Sequence, residues 1–205
     1  MIRPAEFGDL DALYSICLRT GAAGEDATAL YADGDLLGHI YVGPYVLMES
    51  GFGFVLDVGG EVLGYALAAP DTITFEAECA EAWWPALRRR YALPEGGAAF
   101  EAADSDGELI AMIHEPPRTV PDLARAYPAH LHIDLLPAAQ GIGAGRRLMA
   151  ALETELVRVG AGGVHLGTSP RNVRSQGFYE HLGYRRLAPG ELGTPDGAVL
   201  YVKAL

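Results

Sequence analysis

Residues 130–160 read as a β-strand, a glycine-rich turn and an α-helix, and this order constrains the fold more than any other feature of the sequence. Pro137 ends the strand, and Gly160 ends a helix whose leucines recur at helical spacing. The glycines between the two elements let the backbone approach a ligand closely. Because the unpaired amides of a first helical turn attract anions, this junction predicts an anion site that suits a diphosphate.

Three phosphate-binding patterns compete for the turn that begins at Gln140. A kinase-type P-loop requires a lysine and a serine or threonine after its last glycine, but Arg146 and Arg147 follow Gly145. The dinucleotide fingerprint requires a third glycine at the position of Arg146. The pattern Gln/Arg-x-x-Gly-x-Gly/Ala is matched in full by Gln140, Gly143 and Gly145. The alternative is a plain strand–helix turn that is rich in glycine.

A second group of motif residues follows the helix. Residues 163–168 alternate in polarity and predict another strand. After it, Asn172 stands seven residues before Tyr179, and Gly183 and Tyr184 close the stretch. With the glycine turn upstream, this stretch resembles the two signatures of the GNAT acyltransferase superfamily, of which the first is the coenzyme A pyrophosphate loop.

The resemblance implies an α/β fold with a mixed central sheet of about seven strands, a splayed coenzyme A cleft and helices on both faces. Residues 1–205 would form a single domain. The local patterns suit that fold. They predict a strand at 2–4, a helix that Asp9 caps and Gly21 ends, and a loop with part of a second helix at 21–34. A hairpin at 52–58 and 61–69 and a last strand at 198–204 complete the prediction.

Residues 71–128 depart from a compact GNAT domain, in which the third strand leads almost directly into the fourth. This stretch predicts a mainly helical insertion between the two strands. It contains a helical pattern over Thr74–Tyr91, a loop rich in glycine and alanine, and a short helix near Leu109–Ile113. Trp83 and Trp84 read either as core residues or as part of a binding site.

The chain carries a net charge of −12, which argues against a nucleic-acid partner. The charge is unevenly distributed. Seven arginines and three glutamates give residues 138–189 a net charge of +4, so the rest of the chain carries −16. A basic segment in an acidic protein suits a ligand with several phosphates. The alternative is that these arginines lie on solvated helix faces, and we read Arg158 in that way.

Cysteine usage and hydropathy bear on the compartment. Cys17 and Cys79 lie in helical patterns apart from any ligand cluster, which suits a reducing cytosol and implies no structural metal. No apolar run approaches the ~20 residues that a membrane span requires. The N-terminus lacks the apolar core of a signal peptide. These observations predict a cytoplasmic protein with no membrane partner.

Stretches outside the two signatures narrow the resemblance. Residues 2–4, 14–17, 64–67, 127–137 and 163–167 are similar to the acetyltransferase-like domain at the C-terminus of metazoan O-GlcNAc hydrolase. The similarity covers nearly the whole chain and leaves no region for the hydrolase domain. It therefore implies a free-standing bacterial version of the acetyltransferase-like module.

The resemblance also implies which residues contact acetyl-CoA. The strand backbone at Leu135 would pair with the pantetheine arm, the glycine turn would offer amides to the pyrophosphate, and Asn172 would contact the pantetheine. The full set of candidate coenzyme contacts is Leu135, Leu136, Gln140, Gly141, Ile142, Gly143, Ala144, Gly145, Arg146, Asn172 and Arg174.

Three residues are candidates for proton transfer. By resemblance, Tyr179 matches the tyrosine that protonates the departing thiolate; the alternative is an aromatic core residue. The attacking amine must be neutral, so a base is also required. His130, His132 and Asp134 recur with period two and share one face of their strand, where an imidazole and a carboxylate can move a proton. Such a pair can equally form a static hydrogen-bonded network. Tyr179, Asp134 and His132 are the catalytic candidates.

Two functions fit these observations. The first is an acetyl-CoA-dependent N-acetyltransferase that transfers acetyl directly to a small-molecule or peptide amine. No cysteine stands beside the motifs to form an acyl-enzyme, and the acidic remainder of the chain favours a cationic acceptor. A homodimer is compatible with this interpretation. The alternative is a catalytically inactive pseudo-acetyltransferase that binds acetyl-CoA as a sensor or scaffold.

Overall fold

The computed structural model describes residues 1–93 and 105–205. Its strands are β1 (Ile2–Pro4), β2 (Phe52–Val58), β3 (Glu61–Ala69), β4 (Ala129–Leu135), β5 (Gly163–Thr168), β6 (Arg185–Arg186) and β7 (Val199–Ala204). In the described residues they form one seven-stranded sheet in the order β1-β2-β3-β4-β5-β7-β6. β4 and β5 run parallel, whereas the other neighbouring pairs are antiparallel. The predicted α/β class and mixed sheet are confirmed.

Helices connect these strands. They are α1 (Leu10–Thr20), α2 (Leu36–Tyr41), α3 (Gly43–Leu47), α4 (Thr72–Glu78), α5 (Trp84–Arg90), α6 (Ser105–His114), α7 (Pro121–Ala126), α8 (Ala144–Arg158) and α9 (Val173–His181). A π-helical turn, Cys79–Trp83, joins α4 to α5 within the single helix that the sequence predicts there. The predicted glycine- and alanine-rich loop falls on 94–104, outside the described residues. Within the described ranges, every helix is too short or too polar to cross a membrane.

The alternation of side chains along β3 divides the core into two layers. Tyr65 and Leu67 face α1, where Leu13 is buried with them. Ala66 and Ala68 face the opposite way, into the layer that holds the buried leucines of α8. Helices therefore cover both faces of the sheet, as predicted.

The parallel strands β4 and β5 diverge after a short contact. Their ladder pairs Ala129 with Val164 and His130 with His165. Beyond it, β4 continues along β3 as far as Leu135, while β5 continues along β7. The gap that opens between the two strands is the predicted splayed cleft, and backbone groups of β4 border it.

Two local predictions are wrong. Asp9 does not cap α1, because its carboxylate accepts two hydrogen bonds from the guanidinium of Arg3, each at 2.8 Å, and one from the amide of Glu6. The second helix does not begin within 21–34 but at Leu36. In that loop Ala23 and Gly24 have φ angles of 58° and 98°, which interrupt any right-handed helix.

Candidate functional site

A cavity of about 770 Å³ opens at the carboxyl end of β4, and we call it the main cleft. The residues that line it include Asp134, Leu135, Gly143, Arg146, Asn172 and Tyr179. Asp134 and Leu135 belong to β4. Gly143 and Arg146 lie at the glycine turn and the start of α8, and Asn172 and Tyr179 lie at the start and near the end of α9. The structure therefore gathers both sequence signatures around a single cavity.

The glycine turn has the backbone that only glycine adopts readily. Gly141 and Gly143 have φ angles of 76° and 75°. Gly143 is the N-cap of α8 and provides no side chain to cap the helix, so the first-turn amides remain free for a ligand. Gly145 has a different role. A Cβ at this position would lie 3.2 Å from the ring of Phe178, so Phe178 of α9 packs closely over this glycine of α8.

Three of the seven arginines in the basic segment line the main cleft: Arg146, Arg171 and Arg174. Arg146 donates to Nε2 of His181 at 2.8 Å. By contrast, Arg158 forms an exposed ion pair with Glu155 at 2.6 Å, away from the cleft, as expected of a solvated helix face. The three arginines outnumber the two carboxylates of the described lining, Glu25 and Asp134, which leaves an excess of positive charge that suits an anionic ligand.

Gln140 connects the glycine turn to β4. Its side-chain Nε2 donates to the carbonyl of Leu135 at 2.7 Å, and its Oε1 accepts a hydrogen bond from Arg174. The carbonyl of Leu135 is one of the strand groups that a bound chain would contact. A ligand that pairs with it must share it with Gln140 or displace the amide.

Two predicted coenzyme contacts, Leu136 and Ile142, lie outside the lining of the main cleft in this structure and stay predictions. Leu136 is buried in the core layer on the α1 side, and its amide and carbonyl already bond to Leu63 and Ala139. Ile142 is 61% exposed and does not line the main cleft, because the left-handed glycines on either side turn it outward.

Asn172 ties α9 to neighbouring elements. Its Oδ1 accepts from the amide of Ser175 at 3.0 Å and so caps the helix. Its Nδ2 faces Gly24 of the loop after α1, where a Cβ would approach to 3.2 Å. This loop forms one wall of the main cleft, which the sequence alone did not reveal.

Tyr179 is only 6% exposed and packs against the rings of Phe178, Tyr184 and Tyr201. Its ring lies in the core, and the residue also lines the main cleft, so this position is compatible with either earlier interpretation. Burial and the nearby charge of Asp134 raise the pKa of Tyr179 above its usual value. Among the described residues its hydroxyl has no hydrogen-bond partner, and no polar side-chain atom there is both buried and unpaired, so the hydroxyl is accessible.

Asp134 is a half-buried carboxylate in the main cleft. The hydroxyl of Tyr65, a fully buried residue directly opposite on β3, donates to its Oδ2 at 2.6 Å. Burial raises the pKa of Asp134 to about 6, although hydrogen bonds from Tyr65 and Thr20 act in the opposite direction. The group is therefore ionised at neutral pH but can still accept a proton.

The two histidines share the face of Asp134, as predicted, but they line a different cavity of about 260 Å³. His130 is fixed on both sides. The Thr72 hydroxyl donates to the carbonyl of Pro128 at 2.7 Å, so Nδ1 of His130 donates to Thr72 and its Nε2 accepts from Tyr45. For His130 the static network is the interpretation that the structure supports.

His132 does not form the predicted pair with Asp134, whose carboxylate bonds to Tyr65 instead. Its ring packs edge-on against Tyr41 and Tyr45. Burial lowers the pKa of His132 to about 4, so it is neutral at pH 7 and a weaker base than Asp134.

Sequence reasoning missed Tyr65 and Arg171. Tyr65 is the single polar position among the inward-facing residues of an otherwise apolar β3, which is the one signal that could have identified it. Arg171 stands immediately before the motif asparagine, but one more arginine in a basic segment gave no signal of its own.

Comparisons with known proteins agree with this geometry. A model of the acetyltransferase (GNAT) family matches residues 72–184. The crystal structure of SsHAT has a TM-score of 0.87 and 36% sequence identity to this chain, and the match covers 100% of this chain and 97% of that one. The structure of yncA, a putative acetyltransferase from Salmonella typhimurium with its cofactor acetyl-CoA, has a TM-score of 0.54 at 18% identity, with 100% and 92% coverage. This second likeness concerns the fold alone.

Among curated proteins, protein O-GlcNAcase of Rattus norvegicus is 26% identical over 207 residues, which is 100% of this chain. The chain spans 22% of the length of that relative. The similarity is therefore to one portion of a much longer protein.

Proposed function

Because the chain belongs to the acetyltransferase (GNAT) family, we propose that it binds acetyl-CoA in the main cleft and transfers the acetyl group directly to an amine. One observation carries this proposal. The splayed end of β4, the open amides of α8, Asp134 and Tyr179 all border a single cavity. A donor bound along the strand would therefore meet an anion site at one end and proton-transfer groups at the other.

The residues of the cleft fit acetyl-CoA. The left-handed Gly141 and Gly143 and the uncapped amides of α8 form a cradle for a diphosphate, and Arg146 and Arg171 add positive charge beside it. Asn172 and the backbone of Leu135 line the path of the pantetheine arm in this proposal. When bound, acetyl-CoA supplies an acetyl group activated as a thioester.

Asp134 is proposed to take the proton from the attacking amine, directly or through water. A general base works best when its pKa lies near the working pH, and burial brings the pKa of Asp134 to about 6. Tyr65 holds one carboxylate oxygen, which fixes the orientation of the group.

Tyr179 is proposed to protonate the leaving thiolate. Its phenol is protonated at neutral pH, and its hydroxyl is unpaired among the described residues of the cleft. A protonated, accessible hydroxyl on a rigidly packed ring suits a general acid.

Direct transfer is favoured over an acyl-enzyme because neither cysteine is a plausible nucleophile. Cys17 and Cys79 are buried, and burial raises the pKa of both thiols, that of Cys79 to about 12. A thiol that stays protonated at neutral pH reacts slowly with thioesters. Two free thiols also suit the proposed location in the reducing cytoplasm.

The test combines binding with turnover. Acetyl-CoA at a hundredfold excess over Kd should raise the free energy of unfolding by about 2.7 kcal/mol. Free thiol should then appear in the presence of a suitable amine from a panel of polyamines, peptides and aromatic amines. Absence of the stabilisation would overturn the proposal. Stabilisation without thiol release from any amine would identify the alternative, a pseudo-acetyltransferase.

A further inference from the structure

The cavity of about 260 Å³ beside the histidines lies next to the main cleft along β4, and we call it the second cavity. Its walls include Tyr41, Tyr45, Phe75, Trp84, His132 and Arg118. His132 of the second cavity and Asp134 of the main cleft are alternate residues on the same strand face. Such residues are about 6.6 Å apart along the strand.

We propose that the second cavity binds the acceptor, and that this acceptor is an aromatic amine that carries a carboxylate. The inference rests on the proposed function, because it places the amine of the acceptor beside Asp134. The ring of the acceptor lies over His132, and its carboxylate reaches the arginines at the rim.

The walls of the cavity select a flat apolar group. Tyr45 and Phe75 stack with their ring centroids 4.5 Å apart, and Trp84 is buried against the same space. Aromatic pairs favour a further ring in an edge or offset position. A volume of about 260 Å³ falls just below the range of roughly 300–1,000 Å³ for drug-sized ligands, so one substituted ring fills it.

The charges at the rim select an anion. Among the described lining residues, Arg88 and Arg118 face a single carboxylate, that of Glu76. The Oε1 atom of Glu76 accepts a hydrogen bond from the amide of Thr119 at 2.8 Å. Within the described ranges, the one hydrogen bond of the Arg88 side chain runs from its Nε to the carbonyl of Ile113 at 3.1 Å. Arg118 is exposed and has no ion-pair partner within the described ranges.

The histidines add no charge to this balance, since burial lowers the pKa of both His130 and His132. The described lining therefore carries a net charge of +1 within a molecule of net charge −12. An arginine with no ion-pair partner among the described residues of an acidic protein is suited to a ligand carboxylate. The acidic remainder of the surface attracts the ammonium end of the same acceptor.

Trp84 makes the second cavity observable without turnover. The chain has two tryptophans, so Trp83→Phe leaves Trp84 as the single reporter. The probe is 4-(2-aminoethyl)benzoic acid, and its matched control is 4-methylphenethylamine, in which a methyl group replaces the carboxylate. Titration in the presence of free coenzyme A, which has no acetyl group to transfer, should change the Trp84 fluorescence, with a Kd at least tenfold lower for the carboxylate probe.

Arg118→Gln should remove this tenfold preference without changing the Kd for the methyl compound. Arg89→Gln is the control, because Arg89 is exposed on α5 and does not line the second cavity. Equal binding of the two probes, or a preference for spermidine over both, would overturn the inference and leave the proposed function intact. Fluorescence binding without any stabilisation by acetyl-CoA would overturn the proposed function and, with it, the acceptor assignment.

Discussion

At the scale of single residues, removal of the Tyr179 hydroxyl tests whether the protein is an enzyme or only binds acetyl-CoA. Tyr179→Phe keeps the ring that packs against Phe178 and Tyr201, so acetyl-CoA affinity should not change. Loss of a general acid lowers the rate by about 10²-fold or more. We expect kcat to fall by that factor with KM for acetyl-CoA unchanged, as measured by thiol release.

Tyr184→Phe is the matched control for this variant. Tyr184 packs in the same aromatic cluster, but its hydroxyl donates to Glu153 at 2.9 Å and does not line the main cleft. Loss of this hydrogen bond should lower the free energy of unfolding modestly, since a typical hydrogen bond contributes about 1 kcal/mol. It should leave kcat within about twofold of the wild type. Equal activity of the wild type and Tyr179→Phe would show that Tyr179 is a core residue and not the general acid.

The raised pKa of Asp134 should be measurable in the free energy of unfolding as well as in the reaction rate. Burial raises its pKa from 3.8 to about 6, so the folded protein binds this proton more tightly than the unfolded chain. The stability gained from the bound proton is complete below pH 3.8 and is lost as the pH rises through about 6. Asp134→Asn can still accept from Tyr65 and removes this dependence. Relative to wild type, the variant should gain stability between pH 4 and 7, by at most about 3 kcal/mol.

The same substitution should lower kcat by about 10²-fold, because asparagine cannot take a proton. A variant that is more stable at pH 7 and much less active is the expected signature of a strained functional carboxylate. Chemical denaturation at pH 4 and pH 7 measures the first effect. If the difference in free energy of unfolding between Asp134→Asn and wild type is the same at pH 4 and pH 7, Asp134 has an ordinary pKa and is a poor candidate for the base.

At the scale of elements, the turn before α8 can be tested with a pair of variants that differ only in charge. Gly141 has a φ of 76°, and a Cβ there meets nothing within 4 Å. Aspartate and asparagine are the residues that best tolerate this left-handed conformation. Gly141→Asp places a carboxylate beside the proposed pyrophosphate site, whereas Gly141→Asn adds the same bulk without charge. We expect the aspartate variant to lose thermal stabilisation by acetyl-CoA and the asparagine variant to keep most of it.

Gly145 would give a less clear result, because a side chain there would strike Phe178 and disturb the packing of α9. The contrast between the two variants of Gly141 avoids that ambiguity. If both retain the stabilisation, acetyl-CoA does not contact this turn.

The elements that were predictable from sequence are those with short-range signals. The strand–turn–helix at 130–158, the hairpin at 52–69 and the first strand all carry local periodicity or turn residues, and the structure confirms them. The loop after α1 could not be predicted, because its place at the main cleft depends on a contact between Gly24 and Asn172, which lie far apart in the sequence.

The pairing of Asp134 shows the same limit. Period two along β4 correctly placed His130, His132 and Asp134 on one face, but it could not show what packs against that face. Tyr65 lies opposite Asp134 because of the register of β3 with β4, and the aromatic rings that pack around His132 belong to α2 and α3. Long-range pairing therefore decided which of the candidates could act as a base.

At the scale of the whole molecule, two electrostatic effects on coenzyme binding oppose each other. The net charge of −12 repels an anionic ligand from a distance, whereas the arginines of the main cleft attract it at contact. The Debye length falls from about 10 Å at 0.1 M salt to about 3 Å at 1 M. The direction of the salt effect therefore shows which of the two dominates.

We expect the local arginines to dominate, because they lie within a Debye length of the ligand at 0.1 M salt and the acidic groups are spread over the rest of the surface. The Kd for acetyl-CoA should rise several-fold between 0.1 M and 1 M sodium chloride, as measured by calorimetric titration. Arg171→Gln should weaken binding at 0.1 M and flatten this dependence, since Arg171 lines the main cleft. Arg158→Gln changes the net charge equally but lies in an exposed pair with Glu155, so it should behave as wild type. A Kd that falls with added salt would mean that the repulsion of the whole molecule outweighs the cleft, and that the arginines there do not hold the diphosphate.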